Sequence, residues 1–320
     1  MTPGPSTAVV IGCGGTIGGA WSIAALAALA EQTGWDPRDA AILQGTSAGA
    51  EIVTMLGAGF STDDLVAMQL EQPVDARLAR HLADTPSSLP PLPWPQLPRP
   101  GTLGRRGGHR ALTGLAPRGR GNPDWLGRLA DAVTEPGQRW LPRAGVRLVS
   151  YRPDDDRRVA FTGSPSPTNP DLSGAATLSE ALRASWAVPA WMPPVAIDGR
   201  IYVDGGAAST ASVDLIAADE ADMIYVITSM AGLDDVHGPG VGGRLEATLL
   251  RRPMSAVLAQ EVARVRARGT RVVVVSPTAP EMAQLGANFM RRGRRAEAFA
   301  AARHSTVATV AVALARDASA

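Results

Sequence analysis

Ala41-Ile42-Leu43-Gln44-Gly45-Thr46-Ser47-Ala48-Gly49-Ala50 is a short apolar run that stops at a glycine, turns through a serine, and restarts as a helix-like run to Leu56. This is the pattern G-x-S-x-G in a strand–turn–helix setting. Glycines at both ends let the backbone reverse sharply without a Cβ clash. Such a turn lifts the Ser47 hydroxyl above the end of its strand, at the N-terminus of the next helix, where backbone N–H groups lie close by. A plain small-residue turn has the same composition. The rest of the chain therefore has to decide between a nucleophile and a loop.

Upstream, Ala8-Val9-Val10-Ile11 reads as a buried strand, followed by Gly12-Cys13-Gly14-Gly15-Thr16-Ile17-Gly18-Gly19 and a helix through Gln32. A glycine-rich loop between strand and helix offers N–H groups to an anion. A dinucleotide site would need a third glycine where Ile17 stands, and an acidic residue ending the next strand, which instead ends in Gln44. The loop is better used to hold an oxyanion formed at Ser47, because both loops leave the carboxyl ends of strands in a parallel α/β sheet.

Downstream, Ser61-Thr62-Asp63-Asp64 caps a helix to about Glu71, and a second short helix is expected from Val74 to Leu82. The segment from Asp84 to Asn122 then holds eight prolines, seven glycines and six arginines. It is read as a solvated insertion, a flap or a cap, with Leu89, Leu92, Trp94 and Leu97 as its apolar residues. Arginines from Arg99 to Arg143 outnumber acids nine to three, which suits anionic headgroups or ordinary surface. Order resumes with a helix from Asp124 to about Val133 and a hairpin of Val146 to Tyr151 with Arg157 to Thr162. Asp154-Asp155-Asp156 is read as turn chemistry, since no glycine-and-glutamate loop pattern makes it a metal site. A helix from Thr177 to Ala187 leads to a hairpin from Val195 to Val203 around Asp198-Gly199, ending in Asp204-Gly205-Gly206. Met223 to Thr228 and Arg271 to Ser276 are further buried strands, with helices over Arg244 to Arg268 and Gly293 to Leu314. Strands alternating with helices imply an α/β fold with a central, largely parallel sheet flanked by helices. The 320 residues are read as a single domain, 1–320, carrying the Pro/Arg/Gly-rich insertion 84–122.

Composition excludes several chemistries. The chain has no lysine, which rules out a Schiff base and a Walker A loop. Cys13 is the only cysteine, so no intrachain disulfide can form. The net charge of +1 gives no field for nucleic acid. No cofactor and no metal are expected. Met1 to Thr7 has no charged n-region, and Gly18 to Ala30 is too short and glycine-rich to span a bilayer. The expected location is cytoplasmic, with possible peripheral contact with a membrane.

Three motifs in order resemble the patatin-like phospholipases. Gly12 to Gly18 is similar to that family's oxyanion loop, Gly45-Thr46-Ser47-Ala48-Gly49 to its nucleophile elbow, and Asp204-Gly205-Gly206 to its D-G-[GA] motif. Ala184-Ser185-Trp186-Ala187-Val188-Pro189-Ala190-Trp191-Met192-Pro193-Pro194-Val195 is similar to its A-S-x-A-x-P-x-x-[FM]-P-P region. The resemblance implies a patatin-like α/β fold, a Ser47–Asp204 dyad without a catalytic histidine, and metal-free hydrolysis of acyl esters, often of lipids. It makes the N–H groups of Gly14 and Gly15 the oxyanion donors. Gly12, Gly18, Gly45, Gly49, Gly205 and Gly206 are then the structural glycines of the three motifs. Two positions depart from the pattern: Cys13 stands where a glycine is usual, and Ile17 where Arg or Lys is usual. Two alternatives stay open. One is a Ser–Asp–His hydrolase, for which His237 or His304 has the right chain order while His81 and His109 precede Asp204. The other is a lipid-binding scaffold of the same fold that does no chemistry.

Overall fold

The computed structural model describes residues 6–86, 91–93, 117–166, 169–240, 243–244, 247–286, 289 and 292–318. Most of the insertion, 87–90 and 94–116, lies outside the described residues, as do Leu89, Trp94, Leu97 and His109. Leu92 is described and exposed.

Five parallel strands form the base of the molecule: β1 (Thr7–Ile11), β2 (Ile42–Thr46), β3 (Val146–Arg152), and, towards the other edge, Met223–Ile227 and Arg271–Val275. They run parallel to one another. β4 (Arg157–Phe161) returns antiparallel beside β3, and the short β5 (Leu172–Ser173) extends the edge. With β6 (Val195–Ile197) and β7 (Arg200–Asp204), the last two strands are β8 and β9, and the order along the sheet is β5-β4-β3-β2-β1-β8-β9.

Alternate residues face opposite layers, as the period of two requires. Val9, Ile11 and Leu43 enter one apolar layer; Ala8, Val10 and Ile42 enter the other. The first layer is covered by α1 (Gly15–Thr33), α2 (Ala48–Gly57) and the C-terminal helix Arg295–Ala318. The second is covered by the helix Arg252–Arg266 through Leu258, Val262 and Val265. Helix α1 is buried from Ile17 to Leu29, which explains why its sequence is apolar all round. Its Trp21 indole donates to Glu281 Oε1 at 3.1 Å. The buried Glu281 carboxylate also accepts from Ser305 Oγ at 2.7 Å and Thr309 Oγ1 at 2.9 Å, so one side chain joins three helices.

Several expectations are met and several are shifted. Ser61 and Asp64 form a capping box on Thr62–Gln69, and Thr177 with Glu180 forms another on Leu178–Ser185. Asp198 and Gly199 both hold positive φ, 47° and 70°, the pair a tight type I′ hairpin needs. The helix expected over Val74 to Leu82 runs Ala76–Asp84 instead, because Asp75 caps it by accepting from Arg77 N. The single helix expected over Arg244 to Arg268 is a π turn, Ala247–Arg251, followed by Arg252–Arg266, with Pro253 in the first turn where its missing N–H costs nothing. β5 and the helix Ala279–Leu285 were not expected from sequence. Arg295–Ala318 is long and apolar enough to cross a membrane by length and composition; Ala298, Phe299 and Ala302 pack into the core.

Candidate active site

Ser47 and Asp204 are far apart in sequence, and sheet register brings them together. β2 runs parallel to β3 and ends with Thr46 opposite Val149. β7 runs antiparallel to β3 and ends with Asp204 opposite Ser150. The two strands thus approach along the same side of β3 from opposite directions, and their carboxyl ends abut. The residue after one and the last residue of the other meet there.

Ser47 sits at φ 57° and ψ −120°, a conformation that L-residues reach only under constraint. Two tight contacts enforce it. A Cβ on Gly45 would run into the backbone of Gly49 and Ala50, and one on Gly49 would collide with the carbonyl of Ile11. The Ser47 N–H is tied down as well: it donates to Ser185 Oγ at 2.9 Å, and Ser185 Oγ donates to the carbonyl of Val149 at 2.7 Å. Ser185 lies in the quoted A-S-x-A stretch, but the sequence assigned it no role. Only the fold shows it bolting the elbow to β3.

The Ser47 hydroxyl lies close enough to the Asp204 carboxylate to favour its ionised form, and Gly206 N donates to Asp204 Oδ1 at 2.7 Å. Both side chains are buried. Burial pushes the Asp204 pKa up to about 7, against the opposing pull of those two groups. A carboxyl that titrates there is a far better proton acceptor for a hydroxyl than an ordinary aspartate near 3.9.

The glycine-rich loop lies beside this pair. Gly12 N and Cys13 N are spent on the carbonyls of Ile227 and Thr210, at 2.8 and 3.0 Å. Gly14 caps α1 and Gly15 opens it, and no acceptor meets either N–H among the described residues. At the start of α2 the N–H groups of Ala48 and Gly49 likewise meet no acceptor among the described residues, so two helix N-termini converge on the serine. A Cβ on Gly14 would strike Ser229 Oγ and the backbone of Gly18, and one on Gly18 would strike the same Ser229 Oγ, so a side chain at either position displaces Ser229. Cys13 lies against Asp204, where burial first and the carboxylate charge second push its thiol pKa well above the usual range. It stays protonated and is no competing nucleophile. Ile17 is fully in the core, and a different cation stands behind the loop. Arg251, 2 % exposed, donates to the carbonyl of Ser229 at 2.7 Å, and Ser229 Oγ in turn bonds the carbonyl of Cys13 at 3.4 Å.

The histidines divide. His237 and His304 are exposed, and His237 Nδ1 bonds the carbonyl of Gly238 at 2.9 Å. His81 is buried and pairs through Nε2 with Glu51 Oε2 at 3.0 Å. Glu51 follows Ser47 by one helical turn, a spacing that places both on one face of α2. The sequence carried that spacing for Glu51 but no signal for His81. Among the described residues, no group of three or more His, Cys, Asp or Glu side chains could hold a metal ion.

Residues 9–216 match the family model described as patatin-like phospholipase. Among solved structures, VipD from Legionella pneumophila matches with a TM-score of 0.43 and 13% identity, covering 97% of this chain and 67% of that one. No curated protein matches the chain.

Proposed function

The chain belongs to the patatin-like phospholipase family, and on that premise we propose that it is a serine acyl hydrolase working through a Ser47–Asp204 dyad. The family acts on lipid acyl esters. The observation that carries the finer reading is that the strained Ser47, after the end of β2, meets a buried Asp204 at the end of β7 whose pKa burial pushes up to about 7.

Asp204 accepts the Ser47 proton as Oγ attacks the ester carbonyl. The tetrahedral oxyanion that forms is held by the N–H groups of Gly14 and Gly15 and by the N-terminus of α2. One such donor is worth about 10²–10³ in rate. The protonated Asp204 then gives its proton to the departing alcohol, leaving the acyl group on Ser47. Water enters, Asp204 takes its proton, and the reverse sequence frees the carboxylic acid and restores the serine. A single carboxylate serves both half-reactions, and Gly206 N fixes its orientation in each.

The test is Ser47→Ala. It abolishes fluorophosphonate labelling and lowers hydrolysis of short 4-nitrophenyl esters by about 10⁶-fold. Labelling that persists in the variant makes another residue the nucleophile and overturns the reading.

A further inference from the structure

The glycine-rich loop leaves the end of β1, and β1 lies between β2 and β8 in the sheet. The Ser47 turn follows β2 on one flank of the loop. On the other flank β8 ends at Ile227, opposite Ile11, and runs on into Thr228 and Ser229. Ser229 is fully buried there and pressed into the loop: its Oγ takes the space that a Cβ on Gly14 or on Gly18 would fill.

The two oxyanion donors are held by different means. The Gly15 N–H belongs to the Gly14–Gly15 peptide, whose carbonyl accepts from Gly18 N at 3.0 Å. That is the first hydrogen bond of α1, so the helix itself fixes this plane. The Gly14 N–H belongs to the Cys13–Gly14 peptide, which lies before the helix. Among the described residues, the donor that meets its carbonyl is Ser229 Oγ, at 3.4 Å. A trans peptide is planar, with its C=O and N–H pointing in opposite directions. A Cys13 carbonyl turned towards Ser229 therefore turns the Gly14 N–H towards the flank of Ser47. Ser229 is anchored in turn. Its own carbonyl accepts from Arg251 at 2.7 Å, and Arg251, itself buried, closes the π turn Ala247–Arg251. The charge of Arg251 also reaches the loop: burial and then Asp204 push the Cys13 thiol pKa up, and Arg251 acts against them.

We propose that Ser229, anchored by Arg251, is a positioning residue of the oxyanion hole: its hydroxyl holds the Cys13 carbonyl so that the Gly14 N–H faces the oxyanion. The proposal rests on the hydrolase reading and names what aims one of its two donors. At 3.4 Å the Ser229 bond is long for a hydroxyl. It strengthens as the oxyanion forms, because an anion at the N–H end of a peptide makes the carbonyl at its other end a better acceptor. The benefit therefore falls on the transition state and not on the bound ester.

The experiment measures kcat and KM on 4-nitrophenyl butyrate and the inhibition constant of hexyl trifluoromethyl ketone, with fluorophosphonate labelling and circular dichroism on the same preparations. Ser47 Oγ adds to the ketone carbon, its proton passes to Asp204, and the former carbonyl oxygen carries the negative charge, so the adduct reports on the oxyanion hole alone. In Ser229→Ala, kcat falls about tenfold, short of the roughly 10²–10³-fold cost of losing a donor outright. KM holds, and the ketone binds weaker by the same factor as kcat falls. Arg251→Met shows the same pattern, and Arg251→Lys, which keeps a charge and a donor, recovers part of it; this pair carries the test if Ser229→Ala does not fold. A folded Ser229→Ala that keeps the wild-type kcat, loses only in KM, or binds the ketone as the wild type does overturns the proposal and leaves the hydrolase standing. A folded Arg251→Met with wild-type kcat and ketone affinity overturns it as well. A wild type that is neither labelled nor active overturns the hydrolase reading, and the proposal falls with it.

Discussion

Asp204→Asn separates the two costs that Asp204 carries, one in stability and one in function. The side chain is 4 % exposed, and burial moves its pKa from 3.8 to about 7. In the unfolded chain the carboxyl ionises near its ordinary value. Between pH 3.8 and 7 the folded state therefore binds more protons than the unfolded state, and stability falls as pH rises through that window. The shift of about three units, at 1.36 kcal/mol each, amounts to about 4 kcal/mol of lost stability once the pH is above the folded value. At pH 5 only the first part of that loss has occurred. Asparagine keeps an oxygen to accept from Gly206 N and never ionises, so the variant does not suffer the loss. Its advantage over the wild type is then about 2–3 kcal/mol larger at pH 8.5 than at pH 5. In thermal unfolding that corresponds to a difference in Tm that grows on the order of 5 °C across the interval. The same substitution removes the base. Ester hydrolysis at pH 8.5 drops nearly as far as in Ser47→Ala, about 10⁶-fold. In the wild type, kcat/KM loses activity on the acid side around pH 7 as the carboxylate protonates. Differential scanning calorimetry at the two pH values, paired with a 4-nitrophenyl ester assay, reads both effects. A Tm difference that does not change with pH, or a folded variant that still turns over ester at pH 8.5, refutes the buried-base reasoning.

His237→Ala and His304→Ala each keep ester hydrolysis within about tenfold, or ~1.4 kcal/mol of barrier; a folded but inactive variant of either would point to a triad. Gly14→Ala drives a methyl into Ser229 Oγ and the backbone of Gly18, 2.9 Å away, and moves the N–H groups of the loop. Its kcat falls about 10²–10³-fold with KM little changed, which steady-state kinetics on one ester can read. Ser185→Ala leaves the Ser47 N–H buried without an acceptor, costing about 1–3 kcal/mol in chemical denaturation and lowering kcat as the elbow loosens.

Features that depend on a few neighbouring residues were legible in the sequence. Gly45 to Gly49 announces a strained turn because only glycine tolerates the contacts on either side of Ser47. Asp198-Gly199 announces a hairpin, and Ser61 with Asp64 announces a helix start, because turn and cap chemistry are settled within four residues. The apolar runs of β1, β2, β8 and β9 announce buried parallel strands, since strands covered on both faces cannot alternate with polar residues. Resemblance, rather than any local rule, joined Ser47 to Asp204. Helix ends shifted by a few residues where a cap such as Asp75 outweighed the apolar pattern. What tertiary structure alone decided is what depends on segments remote in the chain. β7 docks on β3 where β2 stops, which brings Ser47 and Asp204 together at two strand ends. Burial turns Asp204 from a weak base into one that titrates about 7, a property of everything packed around it. Ser185, Arg251 and the Glu51–His81 pair acquire their roles in the same way, because a hydrogen-bond partner or a loss of solvent belongs to a place in the fold and leaves no periodicity in the chain.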